Sequence, residues 1–148
     1  MSKGNTFEND WQKLVFQAVA IANIADNAAT APLTNLYVSL HTGDPGEAGD
    51  QTTSEATYTG YARVAVPRTS GGWAVSANVI DNVAAITFPL CTAGSNTITF
   101  FGVGTSVSGA GKLLYSGALT ASLAVSNGIT PSFAIGRNHS GWITTMRR

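Results

Sequence analysis

The chain has 148 residues, of which 44% are hydrophobic and only 11% are charged, and its formal net charge is zero. This length and hydrophobic content indicate one domain, residues 1–148, with its own core, and they exclude a disordered tail. Eight acidic and eight basic residues disfavour a general nucleic-acid-binding role, which normally requires a strongly basic surface. Ala, Gly, Ser and Thr supply 68 residues, so side chains for acid–base chemistry are scarce.

The charges are distributed unevenly along the chain. Residues 1–60 contain seven acidic and two basic residues, whereas residues 61–148 contain one acidic and six basic residues. Halves of opposite charge favour docking against copies of the chain or a charged scaffold, unless the fold intermixes them and cancels the dipole. Sequence halves need not be spatial halves, so both interpretations stay open.

The first predicted element is a helix over residues 7–26. Its apolar residues recur at the i, i+3, i+4, i+7 spacing of one helical face, namely Trp11, Leu14, Val15, Ala18, Ile21, Ala22 and Ala25. Such a stripe must be buried, either on the sheet of the same chain or on a neighbouring subunit.

After Pro32 the hydrophobic period changes from that of a helix to that of a strand. Leu36, Val38 and Leu40 alternate with Tyr37, Ser39 and His41, which predicts a strand with one buried face. Short apolar runs separated by Gly, Ser and Asn continue to residue 145, and Asn127-Gly128 is a strong hairpin signal. The pattern predicts a mainly β fold: an antiparallel, jelly-roll-like β-sandwich over residues 34–145 with one N-terminal helix, although a closed barrel fits as well.

The segment 42–60 is predicted to be a long acidic loop. It contains Asp44, Glu47, Asp50 and Glu55, and its polarity favours an exposed, functional or mobile segment. Asp44, Glu47 and Asp50 could serve as calcium ligands, but their spacing matches no EF-hand pattern. We therefore predict no metal site.

The search for a catalytic site yields none. His41 and His139 are the only imidazoles, so a Ser–His device must use one of them. Ser39, His41 and Asp44 are close in sequence, but a polar strand face leading into a turn explains them better than a triad. Cys91 is the single cysteine, which excludes an intrachain disulfide. We predict no enzyme activity, cofactor or small-molecule substrate, and no membrane-spanning segment or membrane partner.

Several sequence segments resemble a family of small virion structural proteins of tailed bacteriophages. The resemblance is carried by LYVSLHT, DPG and EAG between residues 36 and 49, YTGYARV at 58–64 and the following Gly-Gly-Trp. It covers about residues 5–135 and includes no catalytic motif. Members are described as capsid cement (decoration) proteins or as tail-fibre-like proteins.

This resemblance implies a capsid cement protein on the capsid exterior of a virion that is assembled in the bacterial cytoplasm. Its partners would be the major capsid protein and copies of itself, as a dimer or trimer, because many weak contacts together stabilise a shell. A tail or tail-fibre component is the alternative, and an envelope-degrading hydrolase is a third interpretation. The expected partner-binding residues are Trp11, Asp44, Glu47, Asp50, Glu55, Arg63, Arg68, Arg147 and Arg148.

Overall fold

The computed structural model describes residues 5–20, 32–76 and 79–136. One helix, α1 (Asn5–Gln17), is followed in these ranges by strands β1 (Asn35–His41), β2 (Val64–Pro67), β3 (Trp73–Ser76), β4 (Val79–Asn82), β5 (Ile86–Thr87), β6 (Ser95–Gly104), β7 (Leu113–Ser126) and β8 (Ser132–Phe133). The described strand pairs are antiparallel, which confirms the predicted mainly β class with one N-terminal helix. No helix within these ranges has the length and hydropathy that crossing a membrane requires.

The central sheet has four strands in the order β2-β1-β6-β7. Two short ribbons, β3-β4 and β5-β8, accompany it. Ribbon β5-β8 lies against the sheet, where the Phe133 ring of β8 meets the Phe101 ring of β6 at 6.3 Å. The β-sandwich and its jelly-roll arrangement stay predictions.

The core lies between the sheet and the segments that cover its apolar face. Leu36, Val38 and Leu40 of β1 are at most 1% exposed. Across this layer, the Phe16 ring of α1 meets the Trp73 ring of β3 edge-on at 4.8 Å and lies 5.2 Å from the Tyr115 ring of β7. The helix therefore packs on its own chain, because its aromatic residue completes this core.

Strand β1 is buried on both faces, and the prediction of a single buried face was wrong. Ser39 and His41 have no exposed surface, because the segment after β1 folds back over them. Gly102 of β6 lies opposite Ser39 and makes room for this polar layer. A Cβ atom at Gly102 would lie 2.6 Å from His41 Nε2 and 2.7 Å from Ser39 Oγ.

Helix α1 ends at Gln17, so the predicted helix over 7–26 was too long within the described residues. Ala18 adopts a left-handed backbone with φ of 56°, and the Val19 amide donates to the Lys13 carbonyl at 3.2 Å. The part of the prediction beyond residue 20 lies outside the described residues. Among residues 9–17 of the helix, whose burial is described, Phe16 is the buried one, and the predicted stripe did not include it, whereas Trp11 is 45% exposed.

The Asn127-Gly128 signal gives a turn but not a hairpin. Gly128 has φ of 85°, and the Ile129 amide donates to the Ser126 carbonyl at 3.0 Å. The chain then leaves β7, because the Phe88 amide of the segment after β5 donates to the Pro131 carbonyl at 2.9 Å. The strand after the turn therefore pairs with β5 instead of β7.

Candidate partner-binding surface

The segment 42–60 divides into an exposed part and an anchored part. Its first part, residues 44–50, is called the acidic tip because it carries Asp44, Glu47 and Asp50. The Gly46 amide donates to Asp44 Oδ1 at 2.9 Å, and the Thr52 amide and hydroxyl donate to Asp50 Oδ1 at 2.7 and 2.6 Å. The Thr52 hydroxyl and amide lower the pKa of Asp50, which stays ionised at neutral pH. The tip therefore presents negative charge to solvent on short, ordered turns.

The second part of the loop is fixed to the connection between β6 and β7 by Gln51, which is fully buried. The backbone amide of Gln51 donates to the Gly111 carbonyl at 3.0 Å, and its side-chain Oε1 accepts from the backbone amide of Ser106 at 2.9 Å. Farther along, the Ala56 amide donates to the Leu40 carbonyl at 2.9 Å. The expectation that this polar loop stays exposed was wrong for this part, because buried hydrogen bonds satisfy its polar groups.

A cleft separates the acidic tip from the start of β7. Its volume is about 410 Å³, and carboxylates line one side while apolar side chains line the other. The lining residues are Asp44, Gly46, Glu47, Gly49, Leu113, Leu114, Tyr115 and Ser116. The loop and the strand thus form one continuous surface with acidic and apolar parts.

Glu55 and Arg63 form an ion pair inside the protein. Arg63 Nε and Nη2 donate to the two oxygens of Glu55 at 2.6 and 2.8 Å, a bidentate geometry. The two side chains are 2% (Arg63) and 16% (Glu55) exposed. The Tyr61 hydroxyl donates to Glu55 Oε1 at 2.9 Å and accepts from the Leu40 amide at 3.1 Å. Hydrogen bonding to Glu55 raises the pKa of Arg63, and burial raises the pKa of Tyr61.

The remaining donors of Arg63 hold a second loop. Its Nη1 donates to the Ser106 carbonyl at 2.9 Å, and its Nη2 donates to the Gly109 carbonyl at 2.8 Å. Glu55 and Arg63 therefore act within the chain, and we do not include them in the exposed partner surface. They also join the acidic first half of the sequence to its basic second half, which favours the interpretation that the fold intermixes the two halves.

Arg68 caps the end of α1. Its Nε donates to the Val15 carbonyl and its Nη2 to the Leu14 carbonyl, both at 2.5 Å. Its Nη1 donates to the Leu33 carbonyl at 3.3 Å. A cation at a helix C-terminus is favoured because the last carbonyls lack partners within the helix. The Arg68 guanidinium, like that of Arg63, therefore binds groups of its own chain.

Ser39 and His41 are in hydrogen-bond contact, but Asp44 does not join them. His41 Nε2 lies 2.8 Å from Ser39 Oγ, and Nδ1 lies 2.8 Å from the Thr53 carbonyl. Because a carbonyl only accepts, Nδ1 carries the proton and the Ser39 hydroxyl donates to Nε2. Burial lowers the pKa of His41, so the neutral ring is favoured. The pair links β1 to the anchored part of the loop.

The other predicted residues fall into two groups. Trp11 lies on the exposed side of α1, where it is available for contact. Arg147 and Arg148 lie outside the described residues, so their contribution stays a prediction. Within the described ranges, no group of three or more His, Cys, Asp or Glu side chains is placed to hold a metal ion.

Sequence reasoning missed Gln51 and Phe16, two residues that shape this surface. A lone glutamine in a polar loop carries no signal of burial. Phe16 lies beside the predicted apolar face of the helix, and a face rotated slightly about the helix axis would include it.

Residues 6–139 match the model of the family described as Podophage GP4 fiber I protein gp80. A search of curated proteins found no match. Because the family model spans most of the chain, from α1 through the last described strand, the protein belongs to this family of tailed-phage virion structural proteins.

Proposed function

We propose that this chain is a non-enzymatic structural component of a podophage tail fibre, and hence a part of the virion. The observation that carries the proposal is the match of residues 6–139 to a family described as a fibre protein. The match covers nearly all of the helix and the whole central sheet, so it does not rest on a short shared segment.

The placement of the reactive side chains supports a structural role. Ser39 and His41 form the one Ser–His pair in the described residues, and neither has exposed surface. The Ser39 hydroxyl is buried and cannot contact a substrate unless β1 and the segment 42–60 separate. The bonds of Arg63 and Arg68 likewise hold the chain together, which is what a virion subunit requires.

The fibre proposal differs from the capsid cement role that the sequence resemblance placed first. Cement requires the major capsid protein as a partner on the capsid exterior, whereas the family description names a fibre. In a fibre, the first partners of a subunit are other copies of the same chain, consistent with the dimer or trimer expected from the sequence.

Copy number and location in purified particles test the proposal. Quantitative mass spectrometry of whole virions would measure this chain against the major capsid protein, and a second measurement would compare tails and capsids separated after disruption. We expect a few copies per particle, enriched with the tails. Copies comparable in number with the major capsid protein, and retained with capsids, would overturn the fibre proposal in favour of cement. Absence from particles would overturn both.

A further inference from the structure

Strand β7 is a long edge strand that lacks charged residues and proline, two of the usual protections against pairing. It has 14 residues, and β6 is its one strand partner within the described ranges. Its sequence, LLYSGALTASLAVS, contains no charged residue and no proline. The outward N–H and C=O groups of such an edge form a template for another strand, so soluble proteins normally protect it with charge, proline, short length or a β-bulge. Of these, β7 has only the irregularity between Ala118 and Leu123.

The opposite edge of the same sheet is guarded. Strand β2 has four residues and ends in Pro67, which has no backbone N–H to donate. The next amide, that of Arg68, already donates to the Thr34 carbonyl at 2.9 Å. Among the described residues, this sheet therefore has a closed edge at β2 and an open edge at β7.

The side chains along β7 permit close approach of another backbone. Leu119, Leu123 and Val125 face inward and are buried, whereas the exposed residues are small, namely Ser116, Ala118, Thr120, Ala121, Ser122, Ala124 and Ser126. A register shift bends the strand, since the partner of Ile98 is Leu123 and the partner of Phe100 is Ala118. The edge thus has two regular arms, one on each side of the bend.

We propose that the open edge of β7 docks against β7 of a second copy of this chain, so that the sheet continues across the interface. The absence of charge favours a second copy as the occupant. A strand without charged residues can lie against itself with no like charges opposed, and a chain with zero formal net charge has no overall repulsion between copies. The carboxylates of the acidic tip lie beside the start of the strand, at Leu113–Ser116. The proposal does not depend on whether the protein belongs to a fibre or a capsid.

Sedimentation velocity of the full chain over a range of concentrations tests the interface. The variant Ala118→Lys/Ala124→Lys places a charge at two exposed positions of β7, and Ala65→Lys places one at an exposed position of β2 as the matched control. We expect the wild type and Ala65→Lys to self-associate alike, and the β7 variant to associate roughly tenfold more weakly. A wild type that stays monomeric, or an equal loss in the control, would overturn the proposal.

Hydrogen exchange measured by mass spectrometry locates the contact independently of the substitutions. We expect the amides of Gly117–Ser126 in the wild type to exchange more slowly as concentration rises. Protection that is the same at all concentrations would mean that another segment of the same chain covers the edge, and it would overturn the proposal. Circular dichroism melting of each variant separates loss of association from loss of folding.

Discussion

Arg63 and Arg68 lie near each other in the sequence, and both guanidinium groups bind oxygens of their own chain. Arg63 neutralises the Glu55 carboxylate and holds two loop carbonyls, whereas Arg68 holds the last carbonyls of α1. A guanidinium held inside the protein is stabilising only while its partners are present, because each missing acceptor leaves a desolvated charge.

Removing the Glu55 charge tests this dependence. We expect Glu55→Gln to lower the free energy of unfolding by about 3 kcal/mol, because Arg63 would remain buried without a counter-ion. Arg63→Lys should also destabilise, since an ammonium cannot reproduce the bidentate contact and the two carbonyl bonds. Urea denaturation measures both, with exposed Lys112→Ala as the control, for which we expect less than about 0.5 kcal/mol. A Glu55→Gln effect as small as that of the control would refute the role of the pair.

His41 gives the protein a pH dependence whose sign follows from burial. Burial holds the folded-state pKa of His41 below the 6.5 of an exposed ring, while the Thr53 carbonyl and Glu55 act in the opposite direction. The unfolded chain therefore binds the proton first as pH falls. The contribution of neutral His41 to stability is complete above pH 6.5 and is lost as pH falls from there toward the folded-state pKa.

The corresponding experiment compares unfolding free energies between about pH 7.5 and pH 5. We expect the wild type to lose stability on acidification in this window and His41→Asn, although less stable overall, to show a flatter dependence. His139→Asn removes the other imidazole and serves as the control. An equal slope in the wild type and His41→Asn would contradict the assignment.

At the scale of elements, the end of α1 offers a stabilising substitution. Ala18 has φ of 56°, a conformation that costs an L-residue about 1 kcal/mol and that glycine adopts freely. We expect Ala18→Gly to raise the melting temperature, in spite of the greater flexibility of the unfolded glycine chain. Ala20→Gly, at an exposed position that follows the helix, should leave it unchanged or lower it. A lower melting temperature for Ala18→Gly would show that the left-handed turn is not the strained point of the helix end.

The elements that the sequence predicts best are those with the clearest period. The alternation over Leu36–His41 predicts β1 to within one residue, because one set of alternate side chains is strongly apolar. The end of α1 could not be predicted in this way. Alanines continue past Ala18, and the sequence does not show that Ala18 adopts a left-handed backbone conformation. The length of β7 could not be predicted in this way either, because the strand is bent between Ala118 and Leu123.

At the scale of the whole molecule, the acidic tip was predictable and the internal ion pair was not. Carboxylates in a glycine-containing loop indicate exposure, which holds for Asp44 and Glu47. Glu55 and Arg63 look equally exposed in the sequence. The residues around them do not indicate that the carbonyls of Ser106 and Gly109, which are distant in sequence, accept hydrogen bonds from Arg63. Their burial depends on contacts between distant segments, which a local pattern cannot contain.

The sequence separation between Arg63 and its hydrogen-bond acceptors has a consequence for folding during synthesis. The Gly109 carbonyl that it binds lies 46 residues farther on, so this acceptor does not exist while Arg63 is leaving the ribosome. Glu55 can pair with Arg63 early, but the Gln51 bonds to Ser106 and Gly111 must also wait for that later segment. The acidic loop is therefore completed only after synthesis has passed β6 and the turn beyond it, and a chain halted before that point would expose the polar layer of β1 to solvent.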